Sequence, residues 1–354
     1  MMNNHISNQV RQAAKNLVSE KQTAYSFNPK LPIPQEGAIF KKEIGLPAIG
    51  EHDIFVQVQA VSVNPVDGKL RTVTNPKKVA VLGYDAFGKV LQVGKSVTRF
   101  HVGDLAYYAG TTARNGSNEQ YQSVDERLAG HPAQKLTATQ SAAMPLTSLT
   151  AYEILVDHLG LDFQSKSAQG SKMLVINGAG GVGSILVQMA AYLGIEVSVT
   201  AHSEASINWL KQYPIDRIYD YQDLNENLAD QKFDYIVFLY NPAPYWQTAI
   251  GHIKPYGRLV SIVGTETPLN MGPLKNIAAQ FSWEYMFAKS DFNHDPLSQG
   301  QALDEVALLL DAGVLKSTLN QTFDHLSAGN LIQAYAPLDS GKTQGKIVLT
   351  APFQ

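Results

Sequence analysis

The residues with the clearest chemical signature form a glycine cluster that follows the apolar run Met173–Ile176. Gly178, Gly180 and Gly183 are spaced as G-x-G-x-x-G. In a strand–turn–helix unit, the first glycine allows a tight turn, the second lets the backbone approach a pyrophosphate, and the third lets helix and strand pack closely. The alternative is a glycine turn that serves packing alone. The predicted dinucleotide contacts are Gly178, Gly180, Gly181, Val182 and Gly183.

The segments around this cluster alternate between strand-like and helix-like patterns. Ile185–Leu193 is apolar enough for a largely buried helix, whose N-terminal N–H groups would face the phosphates. The alternation continues to about Phe287, as a doubly wound parallel sheet requires. Six strands are expected, the number of two mononucleotide-binding halves. They are Lys172–Asn177, Glu196–Thr200, Arg217–Asp220, Tyr235–Tyr240, Arg258–Val263 and Phe281–Phe287.

The N-terminal half is predicted to be a partly open β-barrel, because strand and turn patterns follow one another there. Asp53–Val63 alternates as a strand does, and Asn64–Asp67 must leave that strand because proline has no N–H to pair. Thr137–His158 has a helical pattern with a break near Pro145, and we interpret it as the hinge into the second domain. An amphipathic helix, Ala302–Ala312, and a final strand, Lys346–Thr350, follow the second domain.

The composition limits the possible functions. A length of 354 residues predicts two domains, and a hydrophobic content of 44% indicates a globular chain with ample core. The net charge of −3 predicts no strong attraction to nucleic acid or acidic membranes. The absence of cysteine excludes disulfides, thiolate zinc sites and a cysteine nucleophile, which fits a cytoplasmic enzyme. No apolar run reaches membrane-spanning length, and residues 1–22 lack the apolar core of a secretory signal.

Seven stretches together carry a resemblance to a known family. They are AVSVNPVDGKLR (60–71), VLGYDAFGKV (81–90), YYAGTTARNGSNEQYQSVDERLAG (107–130), AAMPLTSLTAYEIL (142–155), INGAGGVGSILVQMA (176–190), PYGRLVSIVG (255–264) and SGKTQGKIVLT (340–350). The chain resembles the medium-chain dehydrogenase/reductase superfamily, specifically its quinone-oxidoreductase branch and the zinc-type alcohol dehydrogenase-like proteins within it. The resemblance implies a GroES-like barrel, a Rossmann domain, a return to the barrel, and a homodimer through the last Rossmann strand. The implied limits are 1–22 for an N-terminal extension, 23–148 for the barrel, 149–290 for the Rossmann domain and 291–354 for the return.

The same resemblance bears on zinc. Metal-dependent members of the superfamily hold a catalytic zinc with a cysteine, a Gly-His-Glu segment and a later cysteine or acid. By the resemblance, the first position is Asn64 in this chain, Gly-His-Glu has become Gly83-Tyr84-Asp85, and the third position falls near 146–148. Only Asp85 among these is able to bind a metal, and the nine histidines show no metal-ligand spacing. We therefore expect no zinc.

The position that selects between the two nicotinamide dinucleotides is His202. NAD-specific Rossmann sites place Asp or Glu at the end of the second strand, about 20 residues after the glycines, to hold the ribose hydroxyls. No carboxylate occupies that position, which permits the 2′-phosphate of NADPH. The resemblance implies phosphate contacts at Tyr221 and Lys342, and places Ser203 where relatives have a lysine. We expect NADP(H), with His202 and Ser203 as hydrogen-bond donors; the alternative is that His202 is a solvated loop residue.

Without zinc the reaction loses its electrophile, so we expect an activated acceptor. Quinones accept hydride readily, conjugated enones accept it at the β-carbon, and the developing oxyanion then needs only hydrogen-bond donors or water. The hypothesis is an NADPH-dependent reductase of quinones or α,β-unsaturated carbonyl compounds. Asn64 and Tyr84 are the candidate donors; the alternatives are a turn-capping Asn64 and a Tyr84 that fills the vacant metal space. The resemblance and the strand-end rule add cofactor contacts at Asn64, Thr150, Leu239, Tyr240, Val263 and Gly264.

Two other hypotheses stay open. One is an alcohol dehydrogenase with atypical metal ligands, and the other is a nucleotide-bound binding protein without catalysis. The net charge of −3 and the lack of a basic stripe weigh against a nucleic-acid partner. The sequence contains no nucleophile elbow, Walker loop or H-E-x-x-H motif, which argues against a hydrolase, an NTPase or a zincin.

Overall fold

The structure is a computed structural model that describes residues 21–338, 341 and 343–353. The predicted N-terminal extension therefore lies outside the described residues, except for Lys21 and Gln22, which begin the first strand. The strands of the N-terminal half are β1 (Lys21–Phe27), β2 (Ile39–Gly45), β3 (Asp53–Val63), β4 (Ala86–Val93), β5 (Leu105–Tyr108), β6 (Tyr121–Asp125) and β7 (Ala129–Gly130). The helices there are α1 (Pro65–Val73), α2 (Ala138–Ala142) and α3 (Pro145–Glu153).

The following segment alternates strands and helices, as predicted. Its strands are β8 (Lys172–Ile176), β9 (Glu196–Thr200), β10 (Arg217–Tyr219), β11 (Phe233–Phe238), β12 (Ile253–Ser261) and β13 (Gln280–Trp283). Its helices are α4 (Gly181–Tyr192), α5 (Glu204–Leu210), α6 (Leu224–Leu228), α7 (Trp246–His252), α8 (Gly272–Asn276) and α9 (Phe287–Asp291). The C-terminal segment, which returns to the barrel, consists of α10 (Leu297–Asp311), β14 (Leu319–Phe323), α11 (Ala328–Tyr335) and β15 (Lys346–Thr350).

A six-stranded parallel sheet forms the Rossmann part of the described chain, in the order β10-β9-β8-β11-β12-β13. The order reverses between β8 and β11, and the carboxyl ends on either side of that switch point form a crevice. The central strands β8 and β11 are apolar and largely buried, because helices cover both faces of the sheet. The prediction of a doubly wound sheet with six strands is confirmed.

The sixth strand was predicted too long. The expected strand Phe281–Phe287 ends at Trp283, and Phe287 already begins helix α9. Strand β13 pairs with β12 alone, since it lies at the edge of the sheet. An apolar run looks the same whether its side chains are buried by a strand or by a turn that lines a cleft. The pattern therefore overestimated the length of the strand.

The other large sheet is the partly open barrel. Among the described residues its order is β14-β15-β3-β4-β5-β7, with β6 paired to β3, while β1 and β2 form a separate two-stranded sheet. Strand β15 lies antiparallel to β3 and pairs Ile347 with Val63. The C-terminal segment therefore brings residue 346 beside the end of β3, more than 280 positions away in sequence. This is the GroES-like barrel that the resemblance implies.

The predicted hinge helix consists of three consecutive segments. Helix α2 ends before Pro145, helix α3 begins at Pro145, and a π-helical turn, Ile154–His158, continues it. Proline is well placed at the first turn of a helix, where its missing N–H has no partner to lose. Single π-turns are often found at functional sites. No helix in the described part of the chain combines the length and the apolar character that crossing a bilayer requires.

Candidate active site

A cleft of about 490 Å³ lies where the carboxyl ends of the parallel strands face the barrel. Ligands of open α/β sheets bind in this location. The cleft brings together nine of the predicted site residues, namely Asn64, Thr150, Gly180, Gly181, Val182, Gly183, Leu239, Tyr240 and Val263. Its lining does not include Tyr84, Gly178, His202, Ser203, Tyr221 or Gly264. Lys342 lies outside the described residues.

The glycines of the turn have structural roles that differ in part from the expected ones. The left-handed residue of the turn is Asn177, with a φ of 65°, so Gly178 is not needed for the sharp bend. A Cβ on Gly178 would lie 2.2 Å from Cγ1 of Val199 in β9, and a Cβ on Gly183 would lie 2.2 Å from the carbonyl oxygen of Gly178. Gly178 thus lets the turn approach the neighbouring strand, while Gly183 lets the helix approach the turn.

The N-terminus of α4 faces the cleft, and no side chain caps its backbone N–H groups. Gly180 is the N-cap residue and supplies no side chain, and a Cβ added to it would meet no atom within 4 Å. The first N–H groups of a helix have no partner within the helix and carry a partial positive charge. This arrangement fits the diphosphate of a dinucleotide, which would approach the backbone through the open space at Gly180.

The polar centre of the barrel side of the cleft is the ammonium group of Lys346. This side chain is 3% exposed. Its Nζ donates to the carbonyl oxygen of Val63 at 3.0 Å, to Oδ2 of Asp85 at 2.9 Å, and to Oδ1 of Asn64. An ammonium group has three N–H donors, so these acceptors satisfy all of them. A Cβ on Gly181 would lie 2.7 Å from Cδ of Lys346, so the lysine stem passes directly under the glycine turn.

Asn64 is held in one orientation by its neighbours. Its Oδ1 accepts from Lys346, and its Nδ2 donates to Oδ2 of Asp85 at 2.8 Å and to the carbonyl oxygen of Tyr84 at 3.3 Å. The lysine only donates and a carboxylate only accepts, so the amide has a single orientation that satisfies both. Both N–H groups of Asn64 are therefore engaged within the protein. Its predicted role as a donor to the acceptor molecule requires one of these bonds to open and stays a prediction.

Asp85 completes the buried cluster. Its Oδ1 accepts from the backbone N–H of Leu146, at the start of helix α3, at 2.7 Å. Burial raises the pKa of the Asp85 carboxyl, while the Lys346 ammonium and the N–H donors of Leu146 and Asn64 oppose that shift. The cluster joins strand β15, the loop before α1, the segment after residue 83 and helix α3 at one point.

Tyr84 is buried behind the cleft and not in its lining. Its ring packs edge-on against Phe287, with the ring centroids 4.9 Å apart. Within the described ranges, its hydroxyl has no hydrogen-bond partner. Burial raises the pKa of Tyr84 far above its ordinary value. The hydroxyl is therefore a neutral group, and its predicted role as a hydrogen-bond donor to the acceptor molecule stays a prediction.

The residues at the expected zinc position do not fit a catalytic zinc. Zinc needs deprotonated sulfur, imidazole or carboxylate ligands. Asp85 is the one carboxylate in this set, and it is already paired with the Lys346 ammonium, which would repel a dication. Across the residues that the structure describes, no group of three or more His, Asp or Glu side chains is arranged to hold a metal ion.

The expected 2′-phosphate site forms a separate corner at the ends of β9 and β10. The Nδ1 atom of His202 lies 2.8 Å from Oδ2 of Asp220, and its ring centroid lies 5.4 Å from that of Tyr221. Ser203 caps helix α5, since its Oγ accepts from the N–H of Ser206 at 3.2 Å. Position 202 itself carries no carboxylate, yet Asp220, directly after the neighbouring strand β10, places one beside it. A hydrogen bond from the backbone of Gln222 and then the contact with His202 lower the pKa of Asp220.

Two buried charged residues of the cleft were missed from the sequence. Lys346 begins the predicted last strand, and Glu284 lies inside the apolar run FSWEYMF; both line the cleft and are buried. A charged residue inside an otherwise apolar segment was the available signal, because Lys and Glu are almost never fully buried unless they are paired.

We predict that Lys346→Met destabilises the fold by about 3–5 kcal/mol, because it leaves the Asp85 carboxyl buried without its cation. Urea unfolding followed by circular dichroism measures the change. The double variant Lys346→Met/Asp85→Asn is the control, and it should recover most of the loss since no unpaired charge remains. A single variant as stable as the wild type would show that the ion pair does not hold this part of the structure.

Comparisons with known proteins agree with this geometry. Two family models match the chain: "Alcohol dehydrogenase GroES-like domain" at residues 50–148 and "Zinc-binding dehydrogenase" at residues 214–349. A "Zinc-type alcohol dehydrogenase-like protein" of Staphylococcus epidermidis is 33% identical over 320 residues, covering 89% of this chain and 95% of the relative. A 2-methylene-furan-3-one reductase of Solanum lycopersicum is 27% identical, covering 87% of this chain and 74% of the relative.

Solved structures show the same fold. A candidate zinc-dependent alcohol dehydrogenase of Rhizobium etli superposes with a TM-score of 0.89 at 33% identity, covering 95% of this chain and 99% of that one. The quinone oxidoreductase of Escherichia coli, solved with NADPH, superposes with a TM-score of 0.76 at 21% identity, covering 93% and 100%. The barrel, the parallel sheet and these matches together show that the chain belongs to the medium-chain dehydrogenase/reductase superfamily and is similar to its quinone oxidoreductases and zinc-type alcohol dehydrogenase-like proteins.

Proposed function

We propose that this protein is an NADPH-dependent reductase of quinones or α,β-unsaturated carbonyl compounds that works without a catalytic metal. The observation that carries the proposal is the pairing of an open glycine turn with a cleft whose polar centre is a saturated lysine ammonium. The turn fits a dinucleotide, and the lysine cluster offers no donor set for zinc. Oxidoreductase chemistry in this superfamily then needs an acceptor that takes hydride without a Lewis acid.

The cofactor would lie along the carboxyl ends of the parallel strands. The N–H groups at the start of α4 would hold the diphosphate, and Leu239, Tyr240 and Val263 would line the nicotinamide end. When bound, the reduced nicotinamide supplies a hydride. Thr150 lies in the same cleft, and its hydroxyl donates to the carbonyl oxygen of Leu146 at 2.8 Å, which fixes its position on helix α3.

The acceptor would lie between the nicotinamide end and the lysine cluster. Tyr285, Met286 and Phe287 line this part of the cleft, so a flat, largely apolar molecule suits it. The tomato relative is described as a 2-methylene-furan-3-one reductase, and a relative from Triphysaria versicolor, 25% identical, as a quinone oxidoreductase. Both descriptions name acceptors in which a carbonyl group is conjugated with a carbon–carbon double bond.

The corner at His202 favours NADPH over NADH in our proposal. His202, Ser203 and Tyr221 are polar and exposed there, and no acidic residue occupies position 202 itself to bind the ribose hydroxyls. Asp220 works against this preference, since its charge lies beside the expected phosphate. The homodimer, the cytoplasmic location and the domain limits given above stay predictions.

The proposed reaction is tested by NADPH oxidation with a panel of quinones, enones and simple aldehydes, with and without a chelator. We expect turnover with quinones or enones, little with aldehydes, and no loss on chelation, because the cluster at Lys346 does not fit zinc. Metal content of the purified protein provides the control. Aldehyde reduction that the chelator abolishes would instead favour an alcohol dehydrogenase with atypical ligands.

The cofactor crevice is tested by Gly180→Val. The new side chain would project into open space, so we expect a normal fold but at least about tenfold weaker NADPH binding, equivalent to 1.4 kcal/mol. Quenching of protein fluorescence by NADPH measures the affinity. Gly251→Val is the matched control, since a Cβ at this glycine of α7 also meets no atom within 4 Å and the residue lies outside the cleft. Equal NADPH affinity in both variants would place the cofactor elsewhere.

The proposed phosphate corner is tested by Asp220→Asn. Removing a negative charge beside the 2′-phosphate should raise the affinity for NADPH about threefold to tenfold, with little effect on NADH, because NADH lacks that phosphate. The ratio of the two dissociation constants is the readout. The gain in NADPH affinity should shrink in high salt, which screens exposed charges. An equal change for both cofactors would contradict this location of the phosphate.

A further inference from the structure

We propose that Glu284 is the proton donor of the reaction and that His158 reloads it from solvent. This inference rests on the function proposed above and identifies a catalytic residue that hydride transfer alone does not require. Glu284 directly follows strand β13, at the carboxyl end of the sheet, where the cleft lies. Its acceptor would be the α-carbon of an enone.

The geometry of Glu284 is that of an acid held ready at the cleft. The residue lines the cleft and is 5% exposed. Its Oε2 lies 2.7 Å from Nε2 of His158, and its Oε1 has no hydrogen-bond partner anywhere in the described part of the chain. A buried polar atom without a partner is costly and needs an explanation. Since Oε1 has almost no accessible surface in this conformation, the carboxyl would turn toward the cleft to reach a reacting molecule there.

His158 connects the acid to the surface. It is the last residue of the π-helical turn that follows helix α3, and 23% of its side chain is exposed. A continuous α-helix would place this side chain at a different angle, so the wider turn is what brings it toward Glu284. Each of the two ring nitrogens of an imidazole is able to carry a proton, which suits a relay between solvent and a buried carboxyl.

The surroundings keep the carboxyl able to carry a proton. Burial raises the pKa of Glu284, and Asp157 adds to that shift, while His158 and the Lys289 ammonium oppose it. Lys289 is itself engaged by Asp157, with its Nζ 2.7 Å from Oδ2. Glu153 lies in the same cluster, where burial and then the nearby Glu284 carboxyl raise its pKa to about 8, and it accepts from Nε2 of Gln299 at 2.9 Å. Glu153 does not line the cleft.

The other ionisable residues of the cleft are poorer proton donors. The three N–H groups of Lys346 are all engaged by the protein. Tyr285 is half exposed, and burial of its remaining part raises its pKa, so it holds its proton more tightly. Lys69 and Tyr240 lie at exposed positions, where water is an equal source of protons. Glu284 is the acid that combines burial, access to the cleft and a histidine behind it.

The reduction adds a hydride and a proton to the two carbons of the double bond. A hydride from the reduced nicotinamide dinucleotide forms the new C–H bond at the β-carbon of the enone, and the electron pair of the double bond becomes an enolate. Glu284 gives its proton to the α-carbon and becomes a carboxylate. The Nε2–H of the His158 imidazolium returns a proton to Glu284, and solvent reprotonates His158. The sum is one hydride and one solvent proton added across the double bond.

Quinone reduction depends less on a positioned acid than enone reduction does. Reduction of a quinone protonates oxygen atoms, which exchange protons with water directly, whereas protonation of carbon is slow and depends on a positioned acid. We therefore expect Glu284→Gln to lower kcat for an enone about 100-fold, while kcat for a quinone changes less than about threefold. NADPH affinity should stay within a factor of two of the wild type, which shows that the variant is folded.

Stereochemistry gives a second readout. With an α-substituted cyclic enone, the wild type should form mainly one enantiomer at the α-carbon, and Glu284→Gln should lose most of that preference because water protonates either face. Chiral chromatography at early times measures the ratio. His158→Gln should slow enone turnover but retain the preference, since Glu284 still delivers the proton. Glu119→Gln is the matched control, because this glutamate is also buried but does not line the cleft, and it should leave both rate and enantiomer ratio unchanged.

The outcomes separate this inference from the proposed function. If the wild type reduces neither enones nor quinones, the proposed function fails and the inference falls with it. If it reduces quinones alone, the function stands and Glu284 has no carbon to protonate, which overturns the inference. Unchanged enantiomer ratio in Glu284→Gln, or an equal loss with both acceptor classes, would mean that Glu284 only supports the structure.

Discussion

The buried ion pair between Lys346 and Asp85 is the interaction on which the functional part of this molecule depends. Taking two charges out of water costs several kcal/mol for each ion, and attraction alone repays it only when every remaining donor and acceptor is satisfied. This condition is met here. The amide of Asn64, the carbonyl oxygen of Val63 and the N–H of Leu146 complete the shell. Four segments of the chain must therefore meet correctly before the pair is stable.

The same pair limits the chemistry available at the barrel side of the cleft. A catalytic metal keeps an open coordination position for its substrate. An ammonium with three engaged N–H groups offers a positive potential but no open position. In the function proposed above, a carbonyl acceptor would receive little direct polarisation there, so the best-suited acceptors would be those whose conjugation already favours hydride addition. Under the proposed function, the lysine bears on the substrate class as well as on stability.

The opposite side of the cleft has a different electrostatic character. Strand β13 ends at Trp283, so the chain turns at Glu284 and places an acid at the cleft instead of continuing the sheet edge. The π-helical turn at the end of the hinge helix meets it with a histidine. A glycine turn, a fixed cation and a buried acid are thereby distributed over three sides of one cleft, each held by a different element.

The sequence by itself determined the fold class, the six parallel strands and the glycine turn. These features depend on local patterns: an apolar run, a glycine spacing and the alternation of strand and helix periods lie within short segments, so neighbouring residues carry the information. The break at Pro145 and the last strand, Lys346–Thr350, were predictable for the same reason. The length of the sixth strand was not, because apolar side chains are buried equally well by a sheet and by a cleft.

Only the tertiary structure decided which side chains share the site. Lys346 meets Asn64 across 282 positions and Asp85 across 261, and Glu284 meets His158 across 126. No local pattern encodes such a contact, since it arises when strand β15 pairs with β3 and when the parallel strands end at one edge. Likewise, position 202 holds no carboxylate in sequence, and the fold brings Asp220 beside it. Sequence periodicity specifies the elements, whereas their packing specifies the charges that face one another.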